Sequence, residues 1–243
     1  MPTASTESFL DGIAGSTELL LVADEVHQIG SPVNSRALGI VSGPRLGLSA
    51  TPKRYGDPEG TERLMAYFGG VVPPTITLSE AMKAGRLVPY RYFPHPINLN
   101  ADEADQWLDF TNRIRKEIAR STTDDHGRKR ISERAKMLMI QRSRIAKKAV
   151  AKIDLAVSTI SREYQERQSW LVYCEDSDQL SDIVRALRET GIETIEYHSN
   201  MSGDRGATMQ WFHRFGGILV AIKCLDEGVD IPRVSHALIL ASS

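Results

Sequence analysis

The residues that would build a metal centre or a disulfide scaffold are scarce in this sequence. Only two of its 243 residues are cysteines, Cys174 and Cys224, and they form no CxxC pair. The six histidines lack the spacing of metal ligands. Sparse, unpaired cysteine is typical of proteins in a reducing compartment, so we predict a cytoplasmic protein whose thiols are buried and inert.

Long hydrophobic segments are also missing. No apolar run approaches the roughly 20 residues that span a bilayer, and the first residues lack the basic region and apolar core of a signal peptide. Apolar residues make up 41% of the chain and charged residues 25%, as in ordinary globular proteins. We therefore expect a globular chain without a membrane partner.

A strong net charge is absent as well, but the charge is unevenly distributed. The net charge is −1, whereas residues 113–152 contain 14 Lys or Arg and 4 Asp or Glu. Such asymmetry is a hint of nucleic-acid contact, and the candidate contacts are Arg142, Arg144, Lys147 and Lys148. A solvated helix face explains these four cations equally well. Binding to phosphates would make the affinity steeply dependent on salt.

What the sequence does contain is organised around residues 19–27, LLLVADEVH. The continuous apolar run predicts a strand buried on both faces of a parallel sheet. Asp24 and Glu25 then fall at its carboxyl end, the edge where open α/β sheets bind ligands. In phosphoryl transfer, one carboxylate can hold Mg²⁺ while the other polarises the attacking water. The alternative is a strand end followed by an acidic turn.

A second apolar segment, residues 45–52 with the sequence RLGLSATP, predicts a neighbouring strand. Ser49 follows Asp24 by 25 residues, about right for one strand–helix–strand crossover, so its hydroxyl and that of Thr51 should reach the same sheet edge. In isolation, a hydroxyl-capped turn would look the same. We expect Lys53 and Arg54, which come next, to be ordinary surface charges.

The middle of the chain changes from sheet to helix. We predict a strand over residues 75–78, a helix capped by Ser79, and extended chain over residues 87–99. Helices should follow over residues 101–120 and 131–168, the second with an interruption near Arg142.

Alternation of strands and helices returns after residue 169. We predict a helix from Asp178 to Thr190 and another that begins at a cap on Ser202, and we expect Trp170 and Trp211 to pack in the core. The predicted strands are residues 170–174, 194–198, 218–222 and 236–240. Strands that alternate with helices in this way predict an α/β fold built on parallel sheets.

Taken together, these motifs resemble a superfamily 2 helicase or translocase, of the branch that contains restriction-type and repair-type DEAD/DEAH-box enzymes. Asp24-Glu25-Val26-His27 resembles the Walker B box, motif II, and Ser49-Ala50-Thr51 resembles motif III. The segment YFGGVVPPTITLSEAMKAGRLVPYRY is similar to the way out of the first lobe in that branch. Residues 170–180 are similar to motif IV, and ILVAIKCLDEGVDIP is similar to motif V.

The resemblance implies two RecA-like parallel-sheet lobes that sandwich ATP and Mg²⁺, the first of them incomplete, joined by a helical connector. The implied ranges are 1–100 for the first lobe, 101–168 for the basic connector and 169–243 for the second lobe. DNA, double-stranded or partly single-stranded, would be the substrate track, and subunits of a restriction or repair complex would be partners.

The resemblance also implies roles for individual residues. Asp24 would hold Mg²⁺, Glu25 would be the catalytic base towards water, and His27 would couple the nucleotide site to motif III. Hydrolysis would be linked to lobe movement through Ser49 and Thr51. In motif V, the residues that would face the nucleotide are Gly228 and Asp230.

Two family motifs are missing from the 243 residues. There is no GxxxxGKS or GxxxxGKT phosphate loop, and the arginine-rich motif VI is absent. We therefore expect an internal fragment or a naturally truncated relative of a helicase, which does not itself turn over ATP and exposes an apolar edge on the first lobe. The alternative is a non-catalytic RecA-like module that binds nucleic acid or a protein.

Overall fold

The computed structural model describes residues 6–13, 18–31, 34–54, 57–120, 131–222 and 234–241. The chain divides into two compact units, residues 1–92 and 93–243. None of the helices among the described residues has the length and apolar character needed to cross a bilayer.

The first unit contains a small parallel sheet and short helices. Strand β1 (Leu21–Ala23) pairs in parallel with β2 (Arg45–Gly47), and short 3₁₀ helices cover Val26–Gln28 and Ser35–Gly39. The α-helices are α1 (Glu7–Ile13), α2 (Pro58–Phe68) and α3 (Leu78–Lys83). Its buried cluster comprises Ala23, Val26 and Leu64, with Ile29, Leu38 and Phe68 packed against them.

Apolar side chains remain exposed on both strands of this first sheet. Leu20, Val22, Leu46 and Leu48 are each about half-exposed or more. Apolar surface is therefore exposed on this sheet, among the described residues of the unit, whereas the expected open edge stays a prediction.

The second unit contains a larger sheet. Its strands are β3 (Ser169–Cys174), β4 (Ile195–Tyr197), β5 (Gly217–Ile222) and β6 (His236–Ile239), all parallel in the order β4-β5-β3-β6. Its helices are α4 (Ala101–Ala119), α5 (Glu133–Lys147), α6 (Ala151–Glu163), α7 (Ser177–Glu189) and α8 (Arg205–Phe215). The predicted α/β class with parallel sheets is confirmed.

Helices α6 and α7 build the core of the second unit against strands β3 and β5. Ile160 of α6, Leu187 of α7, Trp170 of β3 and Val220 of β5 are all buried in one cluster. The cluster contains alternate residues of the two strands, so α6 and α7 cover one face of the sheet. The ranges 1–100, 101–168 and 169–243 stay a prediction, although α6 already contributes to this core.

Three local predictions were wrong, each because a polar contact was not recognised. Residues 75–78 are not a strand, since Thr77 caps α3 in a reciprocal capping box with Glu80. The long central helix breaks at residues 148–150, where the Val150 amide donates to Glu103 Oε1 at 2.9 Å. Helix α8 is capped by Asp204, which accepts the Ala207 amide at 2.7 Å.

Candidate functional site

The two predicted motifs of the first unit meet at one sheet edge. Beyond the paired residues of β1 and β2, the Leu48 amide donates to the Ala23 carbonyl at 2.8 Å, and the Val26 amide donates to the Leu48 carbonyl at 3.0 Å. These bonds continue the parallel ladder past the strand ends. Residues 24–27 and residues 49–51 therefore leave the sheet side by side, as the crossover length predicts.

Asp24 and Glu25 form a tight turn at the end of β1. Asp24 is exposed, and its Oδ1 accepts the Glu25 amide at 2.9 Å. Glu25 itself has φ 46° and ψ 48°, a left-handed conformation that costs a non-glycine residue on the order of 1–3 kcal/mol. This turn redirects the chain at once into the 3₁₀ helix Val26–Gln28. Backbone strain of this kind is common at functional sites.

His27 connects the acidic turn to the hydroxyl motif. Its Nδ1 lies 3.0 Å from Ser49 Oγ and 3.3 Å from Glu25 Oε2, so one ring nitrogen faces both a hydroxyl and a carboxylate. Ser49 Oγ also accepts the Thr51 amide at 3.1 Å. The contacts therefore form a continuous chain from Glu25 through His27 and Ser49 to the amide of residue 51.

Arg54 supports this arrangement from below. Its guanidinium donates to the His27 carbonyl and, at 2.8 Å, to Asp57 Oδ2, while Asp57 Oδ1 accepts the Gly60 amide at the start of α2. The Arg54 bond and the Gly60 amide hold the pKa of Asp57 below its usual value. The expectation that Arg54 is a surface charge was wrong, because its side chain is only 20% exposed. An arginine three residues before an Asp-Pro helix start was the available signal.

Glycine permits the close approach of these segments. A Cβ at Gly60 would lie 2.8 Å from the Gly30 carbonyl, and a Cβ at Gly30 would lie 2.6 Å from Arg54 Cδ. The loop after His27 and the start of α2 are thus in direct backbone contact, which fixes Arg54 between them.

The donor set fits a magnesium ion that brings its own phosphate ligands. Among the described ranges, no group of three or more His, Cys, Asp or Glu side chains could hold a metal ion. Mg²⁺ is commonly held by one or two carboxylates together with substrate phosphates and water. Asp24, a carboxylate exposed at the sheet edge, suits that mode of binding and no all-protein cage is required.

The basic residues predicted to contact nucleic acid lie on and after α5. Arg142 is partly buried: its Cζ lies 4.8 Å from the Trp107 ring centroid, and its Nη1 donates to Thr111 Oγ1 at 3.2 Å. Arg144 is exposed. Arg142 therefore helps to join α5 to α4, whereas Arg144 is presented to solvent.

Lys147 and Lys148 are paired at the carboxyl end of β3. Lys147 Nζ lies 3.4 Å from Glu175 Oε2, and Lys148 Nζ lies 2.7 Å from Asp176 Oδ2 and 3.0 Å from Asp178 Oδ2. The hydrogen bond that Lys148 donates to Asp176 raises the pKa of the lysine, although partial burial opposes the shift. Contact of Lys147 and Lys148 with nucleic acid stays a prediction. Such contact would require each lysine to leave its carboxylate partner or to bind a phosphate at the same time.

Sequence reasoning missed Lys152, which lies beside this cluster. Its Nζ donates to the Leu240 carbonyl, and burial lowers the pKa of its ammonium group. The lysine thereby joins α6 to the end of β6. Nothing in its sequence context separates it from the neighbouring surface cations.

The remaining candidates divide between buried and undescribed positions. Burial raises the pKa of the Cys174 thiol to about 12, which confirms the prediction of an inert thiol there. Gly228, Asp230 and Cys224 lie outside the described residues.

One stretch of the chain matches a known protein family. Residues 151–243 match the family model of the helicase conserved C-terminal domain. The predicted resemblance to helicases is thereby confirmed for this part of the chain, which is similar to the helicase C-terminal domain.

Comparison with a curated relative is restricted to a short stretch. Over 69 residues the chain is 30% identical to the DEAD-box ATP-dependent RNA helicase 22 of Oryza sativa subsp. japonica. That stretch makes up 28% of this chain and 12% of the rice protein.

Solved structures extend the likeness to both units at the level of fold. The Hef helicase domain of Pyrococcus furiosus aligns with a TM-score of 0.50 at 14% identity, over 96% of this chain and 68% of that one. The SWI2/SNF2 ATPase core of Sulfolobus solfataricus, solved in complex with dsDNA, aligns with a TM-score of 0.45 at 14% identity, over 98% of this chain and 60% of that one. The first of these likenesses confirms the RecA-like α/β fold.

Proposed function

We propose that this chain is part of an ATP-dependent DNA helicase or translocase, in which ATP hydrolysis is coupled to movement on nucleic acid. The observation that carries the proposal is the contact of His27 Nδ1 with both Glu25 Oε2 and Ser49 Oγ at one edge of a parallel sheet. The helicase C-terminal domain in residues 151–243 supplies the family context.

The two carboxylates divide the chemistry between them in this proposal. Asp24, exposed at the strand end, would hold Mg²⁺ through water, and the ion, when bound, would supply neutralisation of charge on the nucleotide phosphates. Glu25 accepts a proton from the attacking water. The left-handed turn between strand and 3₁₀ helix keeps the two side chains adjacent yet separately available.

His27, Ser49 and Thr51 transmit the state of the carboxylate in this proposal. A proton gained by Glu25 weakens its attraction for His27, which then bonds more strongly to Ser49 Oγ. Because Ser49 Oγ also accepts the Thr51 amide, the loop responds to that change. In the same proposal, Gly228 and Asp230 face the nucleotide.

Nucleic acid is the proposed track. Four cations, Arg142, Arg144, Lys147 and Lys148, would contact DNA phosphates, with double-stranded or partly single-stranded DNA as the substrate. We further propose a cytoplasmic location and subunits of a restriction or repair complex as partners.

A second candidate is a non-catalytic RecA-like module that binds nucleic acid or a protein. The observation that favours it is the lack of a GxxxxGKS or GxxxxGKT loop in the 243 residues, because that loop supplies the amides, lysine and hydroxyl that hold nucleotide phosphates. On either reading, the 243 residues alone are not expected to hydrolyse ATP.

Glu25→Gln tests the catalytic role in the complete helicase of which this chain would form part. The amide keeps the shape of the side chain but cannot accept the proton, so we expect ATP binding to persist while hydrolysis falls by roughly 10²- to 10⁴-fold. The readouts are phosphate release and equilibrium nucleotide binding. Glu62→Gln, the same change at an exposed position of α2, is the control. Unchanged turnover in the Glu25 variant would refute the role of base.

Salt dependence tests the proposed nucleic-acid track on the 243 residues themselves. If four cations contact DNA phosphates, the affinity for a labelled duplex should fall by roughly 100-fold between about 50 and 200 mM salt. Fluorescence anisotropy measures this directly. Arg144→Ala should reduce the slope of log affinity against log salt concentration by about one, because one phosphate contact is lost. Arg36→Ala, in the first unit, should leave that slope unchanged. Absence of binding at low salt would contradict the proposed contact with DNA.

A further inference from the structure

Two aromatic side chains of α8 face solvent although the helix has a buried side. Trp211 is 50% exposed and Phe215 is 52% exposed, whereas Phe212 between them is fully buried. The two exposed rings are four residues apart, so they share one helix face, and their centroids are 5.2 Å apart. The expectation that Trp211 packs in the core was wrong. An exposed aromatic pair of this kind is typical of interaction surfaces.

A cavity of about 500 Å³ adjoins Phe215. It is lined by Arg167, Ser169, Arg214, Phe215 and Gly216. Ser169 and Gly217 are the first residues of β3 and β5, so the cavity lies at the amino ends of these strands. The paired lysines and Glu175 lie at the opposite, carboxyl end of β3. The cavity is therefore separate from the cations proposed to contact DNA.

The cavity wall is fixed by close backbone packing. Gly216 has φ 75°, and a Cβ there would lie 2.8 Å from the Gln168 carbonyl and 3.2 Å from the Arg167 carbonyl. Arg167 also has a positive φ, 71°, in a turn that the Gln168 amide closes on the Gln165 carbonyl at 3.2 Å. The turn before β3 and the end of α8 thus hold two arginines beside one cavity.

The chemistry of the lining favours an anionic group next to an apolar one. Two arginines and no Asp or Glu line the cavity, among the residues that the structure describes. Arg214 Cζ lies 5.2 Å from the Phe215 ring centroid, so cationic and aromatic surfaces adjoin. Guanidinium groups bind carboxylates through paired, charge-assisted hydrogen bonds, and the volume admits one or two side chains.

We propose that this aromatic–arginine surface, formed by Trp211, Phe215, Arg214 and Arg167, binds an acidic segment of a partner polypeptide. One or two carboxylates of the segment contact the arginines, and an adjacent aromatic or large aliphatic side chain packs on the exposed rings. The proposal does not depend on the helicase activity proposed above, because it uses none of the same residues.

A peptide fits this surface better than a nucleic-acid strand. A strand requires a positive groove that follows its backbone over several nucleotides, whereas the positive charge here is confined to two side chains. A peptide segment whose negative charge is concentrated at one point matches that arrangement.

Selection of random peptides displayed on phage against the 243-residue chain tests the proposal. We expect the enriched peptides to share an aromatic or large aliphatic residue within a few positions of two or more Asp or Glu. Synthetic copies labelled with fluorescein then give affinities by anisotropy. Failure to enrich such peptides, or enrichment of basic ones, would overturn the proposal.

Matched variants locate the binding. Arg167→Glu and Arg214→Glu should each weaken the selected peptides by about 10-fold or more, and Phe215→Ala by about 5-fold. Arg188→Glu, the same charge reversal at an exposed position of α7, should leave the affinity unchanged. Circular dichroism checks that each variant is folded. Equal losses in the control would overturn the assignment, as would a thymidine oligonucleotide that competes with the peptides and requires the same two arginines.

Discussion

The two units share one sequence pattern, strands alternating with helices, yet they differ in how much they bury. In the first, β1 and β2 pair over three residues each, and the buried cluster is Ala23, Val26 and Leu64. In the second, β3 and β5 pair over six residues, and buried side chains of α6 and α7 cover them. The candidate catalytic residues lie on the less buried unit, and the family match lies on the well-packed one.

The difference in burial corresponds to two requirements, a loop that can move and a scaffold that stays folded. A loop that responds to a nucleotide is expected to belong to the less stable part of a protein, since small energies must be able to move it. A scaffold is instead expected to belong to the more stable part of the protein. Residues 24–27 and 49–51 are partly exposed and held by hydrogen bonds, whereas the second sheet is held by apolar packing. Substitutions in the apolar core of the second unit should therefore lower the stability more than substitutions in the first unit.

The largest effect on stability is expected in the second unit. Ile160→Ala removes a fully buried side chain between α6 and the sheet and should lower the free energy of unfolding by about 2–5 kcal/mol. All three tryptophans, residues 107, 170 and 211, belong to this unit, so their fluorescence during urea unfolding reports on it. Leu64→Ala, in the small first cluster, should cost about 2 kcal/mol locally, as measured by hydrogen exchange over residues 21–68. A larger loss of stability in the Leu64 variant than in the Ile160 variant would contradict the conclusion that the second unit is the more tightly packed one.

A smaller effect is expected at Arg54. Arg54→Met keeps much of the side-chain volume but removes the bonds to the His27 carbonyl and to Asp57, which should cost roughly 1–3 kcal/mol in the first unit. Amide exchange at residues 26–31 should quicken. Lys53→Met, the same change at the exposed neighbouring position, is the control. Equal exchange rates in the two variants would show that Arg54 does not support the His27 loop.

The smallest effect is expected to be a pH dependence of the interaction between Arg54 and Asp57, which holds the His27 loop. The pKa of Asp57 is lowered by Arg54, so its folded-state pKa is below the unfolded value near 3.8. Its contribution is therefore present above about pH 4 and is lost as the pH falls through the folded pKa. Asp57→Asn should reduce the acid sensitivity of exchange at residues 26–31, and Glu59→Gln should not. Acid sensitivity that persists in the Asn variant would assign it to another carboxyl group.

Local patterns predicted most of the elements because apolar periodicity and capping act over a few residues. The strands at residues 169–174 and 217–222 follow from runs such as WLVYC and ILVAI. The convergence of Asp24 and Ser49 follows from crossover length alone. Where prediction failed, a polar contact was not recognised in the sequence: the Glu103 carboxylate accepts the Val150 amide, 47 residues away, between α5 and α6, and the Asp204 side chain sets the start of α8.

The sequence by itself determined the parallel α/β class, the place of the acidic turn at a strand end and the likeness to helicases, because these depend on short-range spacing and on residue type. Only the tertiary structure decided that Arg54 supports His27, that Lys147 and Lys148 are paired with carboxylates, and that Trp211 faces solvent beside two arginines. Each of those outcomes depends on which distant side chain or backbone atom comes within hydrogen-bond or van der Waals reach, and no local pattern encodes that distance.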